Sequence, residues 1–161
     1  MADYKDVFAT NEWPLAKFYF RVEFLDGPIE VQGSFQGVEG LESEISVMEY
    51  RMGDSPLFFK SKRYGMMTYS NVTLKKGMFA GDMYLKDWWN EYSWNHSDRS
   101  NRHEILITLM DENDADMMTW TLKGCFPVKF TPSALDAEAD SEIALEELEL
   151  ACESWSLEFA G

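Results

Sequence analysis

Phe18, Phe20, Val22 and Phe24 alternate with Tyr19, Arg21 and Glu23, and this period of two constrains the chain more than any other feature. Only an extended backbone puts every second side chain on one face. The segment therefore predicts a strand with one face on a core and the other open to solvent or a partner. Similar runs follow: Ile29 to Gln36 after the turn Asp26-Gly27-Pro28, then Ile45, Val47 and Glu49 alternating with Ser46, Met48 and Tyr50. Tyr64 to Lys76, rich in Thr, Tyr and Val and closed by Gly77, predicts a further strand. Ile105, Ile107 and Leu109 resume the pattern, and Trp120, Leu122, Phe126, Val128 and Phe130 bring the chain back after an acidic turn at Asp111 to Asp116. Trp120 is expected in the core.

One segment has a different period. Tyr84, Leu85, Trp88, Trp89 and Tyr92 recur at spacings of three and four, which fits one short amphipathic helix over Asp82 to Tyr92, with Gly81-Asp82 as its N-cap. The final segment fits two descriptions. Leu145, Leu148, Cys152 and Trp155 stand at helical spacing, whereas Ile143 and Leu145 followed by Leu148, Leu150 and Cys152 make a strand whose phase slips at Glu146-Glu147, as at a β-bulge. The pattern as a whole predicts a mainly antiparallel β architecture, a small barrel or sandwich with one helix covering an opening.

Charge narrows the function. With 29 Asp and Glu against 14 Lys and Arg, the formal charge is −15, which repels nucleic acid and anionic lipid and argues against a sequence-specific nucleic-acid binder. A hydrophobic share of 45% excludes a disordered chain, and 161 residues suffice for a single domain that needs no metal or disulfide to fold. No apolar run approaches the roughly 20 residues that span a bilayer, so no membrane anchoring is expected, and Met1 to Asp6 lacks the character of a secretory signal, so synthesis is expected in the cytoplasm.

Chemistry-bearing motifs are scarce. Asp111 to Asp116 fails the calcium-loop template, with Ala115 at its fifth position and Asp116 at its sixth, where glycine is required. His96 and His103 have no zinc-ligand spacing and are expected at the surface or an interface. Cys125 and Cys152 form no CxxC pair and are expected as small apolar residues in strands. No catalytic residue, cofactor or metal is expected, and nothing argues for an enzyme. A monomeric β-barrel taking a small ligand under Trp88, Trp89 and Tyr92 is the reading from another class.

Charge placement says more than its total. From Ser133 to Gly161 there are nine acids and no base; from Ser55 to Gly81 there are Lys60, Lys62, Arg63, Lys75 and Lys76 and no acid. These are either two solvated faces or the two halves of a head-to-tail contact that repeats into rings or filaments. Pro56-Leu57-Phe58-Phe59 favours contact, since adjacent Phe side chains on an extended chain point to opposite faces and one needs a partner to cover it.

Nine stretches, in order, resemble the inner-tube proteins of contractile injection systems, the family that includes the tube proteins of contractile phage tails and of extracellular tail-like particles. They are Phe18 to Phe24 (FYFRVEF), Phe35 to Leu41 (FQGVEGL), Glu49 to Gly53 (EYRMG), Tyr69 to Gly77 (YSNVTLKKG) and Phe79 to Asp82 (FAGD). Trp88 to Asn90 (WWN), Arg102 to Asp111 (RHEILITLMD), Trp120 to Pro127 (WTLKGCFP) and Ile143 to Glu153 (IALEELELACE) complete the set. FAGD and WWN look closest to the extracellular particles. The chain departs from the family at Arg63-Tyr64-Gly65, where Leu-Pro-Gly is usual, at Cys152-Glu153, where His-Glu is usual, and in a longer stretch before Lys17.

The resemblance implies a small closed antiparallel β-barrel of two packed sheets with one short α-helix and a long protruding hairpin, and it makes the last segment a strand. Residues 1–161 would form one tail-tube-like domain, with 1–16 an N-terminal extension and 44–64 the hairpin that reaches neighbouring subunits. The implied contacts between subunits and rings lie at Glu49, Tyr50, Arg51, Met52, Gly53, Asp54, Phe58, Phe59, Lys60, Lys62 and Arg63. Implied partners are further copies of the chain in stacked hexameric rings, a contractile sheath, baseplate or tube-initiator and terminator proteins, and lumenal cargo. The particle would be cytoplasmic, membrane- or thylakoid-attached, or released. A tube-initiating or baseplate paralogue that makes a single ring is the alternative within the family. Six copies at −15 each carry −90, expected largely on the lumen wall.

Overall fold

The computed structural model describes residues 19–25, 35–78, 84–94, 102–111, 113–133, 135, 137–138 and 143–159. Among these, the strands are β1 (Phe20–Phe24), β2 (Phe35–Glu39), β3 (Ser43–Tyr50), β4 (Ser61–Tyr69) and β5 (Val72–Gly77). They continue with β6 (His103–Met110), β7 (Asp116–Thr131), β8 (Leu145–Ala151) and β9 (Ser154–Phe159), and the helix α1 (Tyr84–Trp94) lies between β5 and β6. The 1–16 extension, the turn at Asp26-Gly27-Pro28, most of the run from Ile29, the N-cap at Gly81-Asp82 and His96 lie outside the described residues.

Two sheets share one long strand. The first half of β7 pairs with β6 and β9, and β6 pairs with β1. The second half pairs with β8, which pairs with β5, which pairs with β2, all antiparallel. At Gly124 the strand changes sheet, with φ of +64°, and a Cβ there would stand 2.8 Å from the Glu153 side chain. The path runs β1-β6-β7-β8-β5-β2, and its two end strands share no ladder among the described residues. They approach through side chains instead, with Phe24 and Phe35 rings 6.2 Å apart.

The core lies between the sheets, and the alternation in the sequence puts it there. Val22 and Phe24 of β1, Val72 and Leu74 of β5, Ile105 and Ile107 of β6, Leu122 and Cys125 of β7, and Leu148 and Leu150 of β8 are all buried. Helix α1 closes one side of this core with Leu85, Trp88 and Tyr92. Phe24 meets Tyr84 at 5.1 Å and Trp88 at 5.7 Å, and Tyr92 stacks on Phe126 at 5.4 Å. His103 is half-buried, edge-on to Trp88 at 4.7 Å, rather than a surface residue. Trp88 and Tyr92 are packed down on neighbouring rings, which fills the space a ligand would need beneath them. Trp120 is only half-buried and walls a cavity of about 470 Å³ with Phe20, Val38, Leu41, Ile107 and Leu109, between the sheets beside β2.

Three boundaries differ from the expected ones, each for a physical reason. The run from Tyr64 to Lys76 is two strands, because the chain leaves the β3–β4 ladder at Ser70-Asn71 and enters the main sheet at Val72. The last segment does not slip phase at Glu146-Glu147. Glu146 itself points inward with Leu148 and Leu150, opposite Lys76, and the break falls later, at Cys152-Glu153 between β8 and β9. The helix, described over Tyr84–Trp94, runs two residues past the expected end at Tyr92.

Gly40 joins β2 to the projecting β3–β4 pair. Its φ is +89°, and an added Cβ would stand 2.1 Å from the Asn71 carbonyl oxygen. Gly40→Ala therefore combines a disfavoured backbone region with a backbone collision, and is expected to cost about 2–3 kcal/mol in denaturant unfolding. A cost below about 0.5 kcal/mol, within the range of ordinary surface changes, would show that this crossing does not hold the hairpin's base.

Candidate functional site

Strands β3 and β4 form a two-stranded antiparallel sheet of their own, apart from the main sheets. The register runs from Ser43 opposite Tyr69 to Tyr50 opposite Ser61, with an irregularity between Ile45 and Val47. Such a ribbon has only marginal stability in water on its own. Every residue of β3 is exposed, and so is β4 except Gly65 and Tyr69. Tyr69 is the anchor at the base, its ring edge-on to Trp155 at 5.7 Å.

The exposed side chains are apolar to an extent a free monomer does not need. Phe58 is 95% exposed, Met66 81%, Tyr64 79%, Tyr50 70%, Phe59 67% and Met52 60%. Ile45, Val47, Met48 and Leu57 add to the same projection. Contiguous exposed apolar surface of this kind marks a contact site. Met48, Met52, Met66 and Met67 add flexible, polarizable side chains to this exposed surface.

Arg51 organises the tip. Its Nε donates to the Leu57 carbonyl at 3.1 Å and its guanidinium NH2 to the Ser55 carbonyl at 3.2 Å, while the cation sits 6.0 Å above the Phe58 ring. Ser55 N–H donates to the Met52 carbonyl at 3.1 Å, closing the turn around Gly53 and Asp54. A Cβ at Gly53 would meet nothing within 4 Å, so this glycine is not required by the fold of its own chain. Gly53→Val is expected to leave the circular-dichroism spectrum and unfolding midpoint unchanged; a clear loss of stability would contradict that.

Of the eleven residues expected at the interface, all lie on β3, the tip or β4. Glu49, Tyr50, Lys62 and Arg63 are in the ladder, Glu49 opposite Lys62 and Tyr50 next to them opposite Ser61. Lys60 reaches Glu49 at 3.5 Å. The ribbon from Ser43 to Tyr69 carries four bases against three acids, so it is nearly neutral on a strongly acidic chain.

The two other bases of the basic segment behave differently. Lys75 pairs with Glu39 at 3.0 Å and approaches Glu147 at 4.0 Å, and the Glu39 hydrogen bond raises the Lys75 pKa. Lys76 pairs with Glu146 at 3.3 Å inside the core. Part of the charge asymmetry read along the chain is thus satisfied between β2, β5 and β8 of one subunit, because the sheet brings the basic and acidic segments side by side. Sequence reasoning also missed Met66 and Met67, which extend the exposed surface beyond residue 64; the signal was their place in an alternating run with no core to face.

A family model described as T4-like virus tail tube protein gp19 matches residues 16–156 of the chain. The chain belongs to this family of tail tube proteins. Among solved structures it is similar to a chain of the PVC sheath–tube complex of an extracellular contractile injection system in its extended state, at 26% identity and a TM-score of 0.80, covering 99% of this chain and 100% of that one. It is likewise similar to a chain of the cap that terminates the tube of the anti-feeding prophage, at 26% identity and a TM-score of 0.78, covering 92% and 93%. Hcp1 from Flavobacterium johnsoniae shares the fold at 11% identity and a TM-score of 0.51, covering 87% and 94%. No curated protein sequence matches.

Proposed function

We propose that the chain is a structural subunit of the inner tube of a contractile injection system, forming hexameric rings that stack into a tube. In this reading the lumen conducts or holds cargo, and the tube is driven through a target envelope when a surrounding sheath contracts. The observation that carries it is the β3–β4 ribbon, an exposed apolar projection on a chain of the tail tube family. Glu49 to Asp54 and Phe58 to Arg63 would contact the next subunit or ring. Unpaired ribbon edges invite pairing with another chain, and ring closure would remove them.

The same logic applies to the seam between β1 and β2. We read the two sheets as a barrel closed along this seam, with the neighbouring copy covering the cavity beside Trp120. Partners by the same inference are a contractile sheath, a baseplate or tube initiator and a tube terminator, since the similar solved chains come from a sheath–tube complex and a tube-terminating cap. The task is mechanical and needs no catalytic residue or cofactor. Acidic side chains on the outer face of the β2–β5–β8 sheet, including Glu39, Glu147 and Glu149, would line the lumen and repel acidic cargo.

The deciding experiment is negative-stain microscopy of the purified chain at rising concentration, with its mass from light scattering. Six-fold rings or stacked tubes are the expected result. A strict monomer that also fails to co-assemble with a contractile sheath protein would refute the reading. A single-ring initiator or terminator is a second reading, supported by the similarity to the tube-terminating cap; rings that never stack at any concentration would select it.

A further inference from the structure

Cys125 and Cys152 stand opposite each other where two strands cross between the sheets. In the β7–β8 ladder Phe126 faces Ala151, and continuing that register by one residue brings Cys125 to Cys152. Their sulfurs are 2.9 Å apart, with Cys125 buried and Cys152 half-buried. Facing Cα atoms of an antiparallel pair are about 4.5 or 5.5 Å apart, and a disulfide spans about 4.4–6.8 Å, so the backbone register suits a bridge without rearrangement.

The surroundings hold the pair in place. Gly124, next to Cys125, bends β7 with its positive φ. On the other strand Glu153 N–H donates to the Lys123 carbonyl at 3.0 Å, and the Glu153 carboxylate is paired with Arg102. Arg102 in turn lies 4.6 Å over the Phe126 ring. The bend is therefore fixed on both sides of the two thiols.

We propose that Cys125 and Cys152 are a modification site, forming an intrachain disulfide that locks the corner between the sheets when the chain meets a low-molecular-weight disulfide oxidant. Cys152, the more accessible sulfur, attacks one sulfur of the oxidant R–S–S–R as thiolate, forming a mixed disulfide and releasing one R–S⁻. Cys125 then gives up its proton, and its sulfur attacks the Cys152 sulfur, expelling the second R–S⁻. The two thiol protons leave as two R–SH, so two cysteines are oxidised and one small disulfide is reduced. The order of attack agrees with the electrostatics: the hydrogen bond from Cys125 lowers the Cys152 pKa, while that bond and burial raise the Cys125 pKa. This inference concerns the single chain and stands apart from the tube reading.

The test uses the purified full chain, treated either with oxidised glutathione or with dithiothreitol. Oxidation is expected to lower the intact mass by two hydrogens, abolish thiols titratable in denaturant, leave the chain monomeric on a non-reducing gel, and map one bridge to Cys125 and Cys152. The melting temperature should rise by about 5–10 °C and fall back on reduction, from the chain-entropy effect of closing this loop. Cys125→Ser should stop at a glutathione adduct on Cys152, and Cys152→Ser should leave Cys125 unmodified. Two titratable thiols after treatment, a persistent glutathione adduct on the wild-type chain, or a bridge between chains would each overturn the proposal.

Discussion

Phe58→Asp together with Phe59→Asp is expected to leave a folded chain that no longer polymerises. Neither side chain contributes to the core: Phe58 is 95% exposed and Phe59 67%, and the Arg51 cation lies 6.0 Å from the Phe58 ring. Substitutions at such positions change stability by about 0.5 kcal/mol or less. In an assembly the balance reverses. Burying a Phe side chain is worth about 1.5–3 kcal/mol, and the variant replaces two of these per subunit contact with carboxylates that would have to be desolvated. A loss of even 4 kcal/mol per contact weakens each association by roughly a thousandfold, and a closed ring repeats that loss at every interface. Circular dichroism should match the wild type, while sedimentation velocity should show monomer where the wild type forms rings or tubes. Polymer of wild-type length would remove the ribbon tip from the interface. Phe58→Leu, which keeps the apolar volume, should keep assembly.

The strands of the core were legible because their inner faces are apolar. In β1 and β6, Val22, Phe24, Ile105 and Ile107 alternate as read, and all are buried. The helix was legible for the same reason at its own period, through Leu85, Trp88 and Tyr92. The ribbon was harder, since β3 and β4 alternate without a core of their own to face, and it was the family resemblance that marked Glu44 to Tyr64 as a projection. The structure extends the ribbon to Ser43 and Tyr69. What the residues alone did not disclose is long-range register. Nothing in a linear pattern says that Lys75 and Lys76 pair across to Glu147 and Glu146, so segments read as two solvated faces or as the halves of a head-to-tail contact are in part neighbours within one chain. Register likewise brings Cys125 to Cys152 across 27 residues. Glu146 misled for a related reason: a charge at an inward position looks like a slip of phase unless its partner is known.

That inward pair supports the second large prediction. Lys76 continues the buried series Val72 and Leu74 on β5, and Glu146 continues Leu150 and Leu148 on β8, so each strand ends its apolar face with a charge, and the two meet in register. Their side chains are 2% and 5% exposed, with nitrogen and oxygen 3.3 Å apart. A pair taken this far out of water gives little net stability, because desolvation offsets the attraction, but removing one partner strands the other charge. Lys76→Met leaves the Glu146 carboxylate buried without its cation and is therefore expected to lower the unfolding free energy by about 3–5 kcal/mol, whereas Glu146→Leu is expected to cost less, because Lys76 keeps other interactions. Combining Lys76→Met with Glu146→Leu should restore stability to within about 1 kcal/mol of the wild type, since two apolar side chains of similar volume then face each other. Guanidinium unfolding of the four proteins measures this directly. If the double variant were as unstable as either single one, the pair would hold the β5–β8 end by geometry that apolar side chains do not reproduce. If instead the singles were near neutral, water would have to reach these positions despite their burial. Recovery in the double variant would place the function of the charges elsewhere, in fixing the register between β5 and β8, because sliding β8 by one residue would turn Glu146 out of the core, away from Lys76, and Glu147 into it.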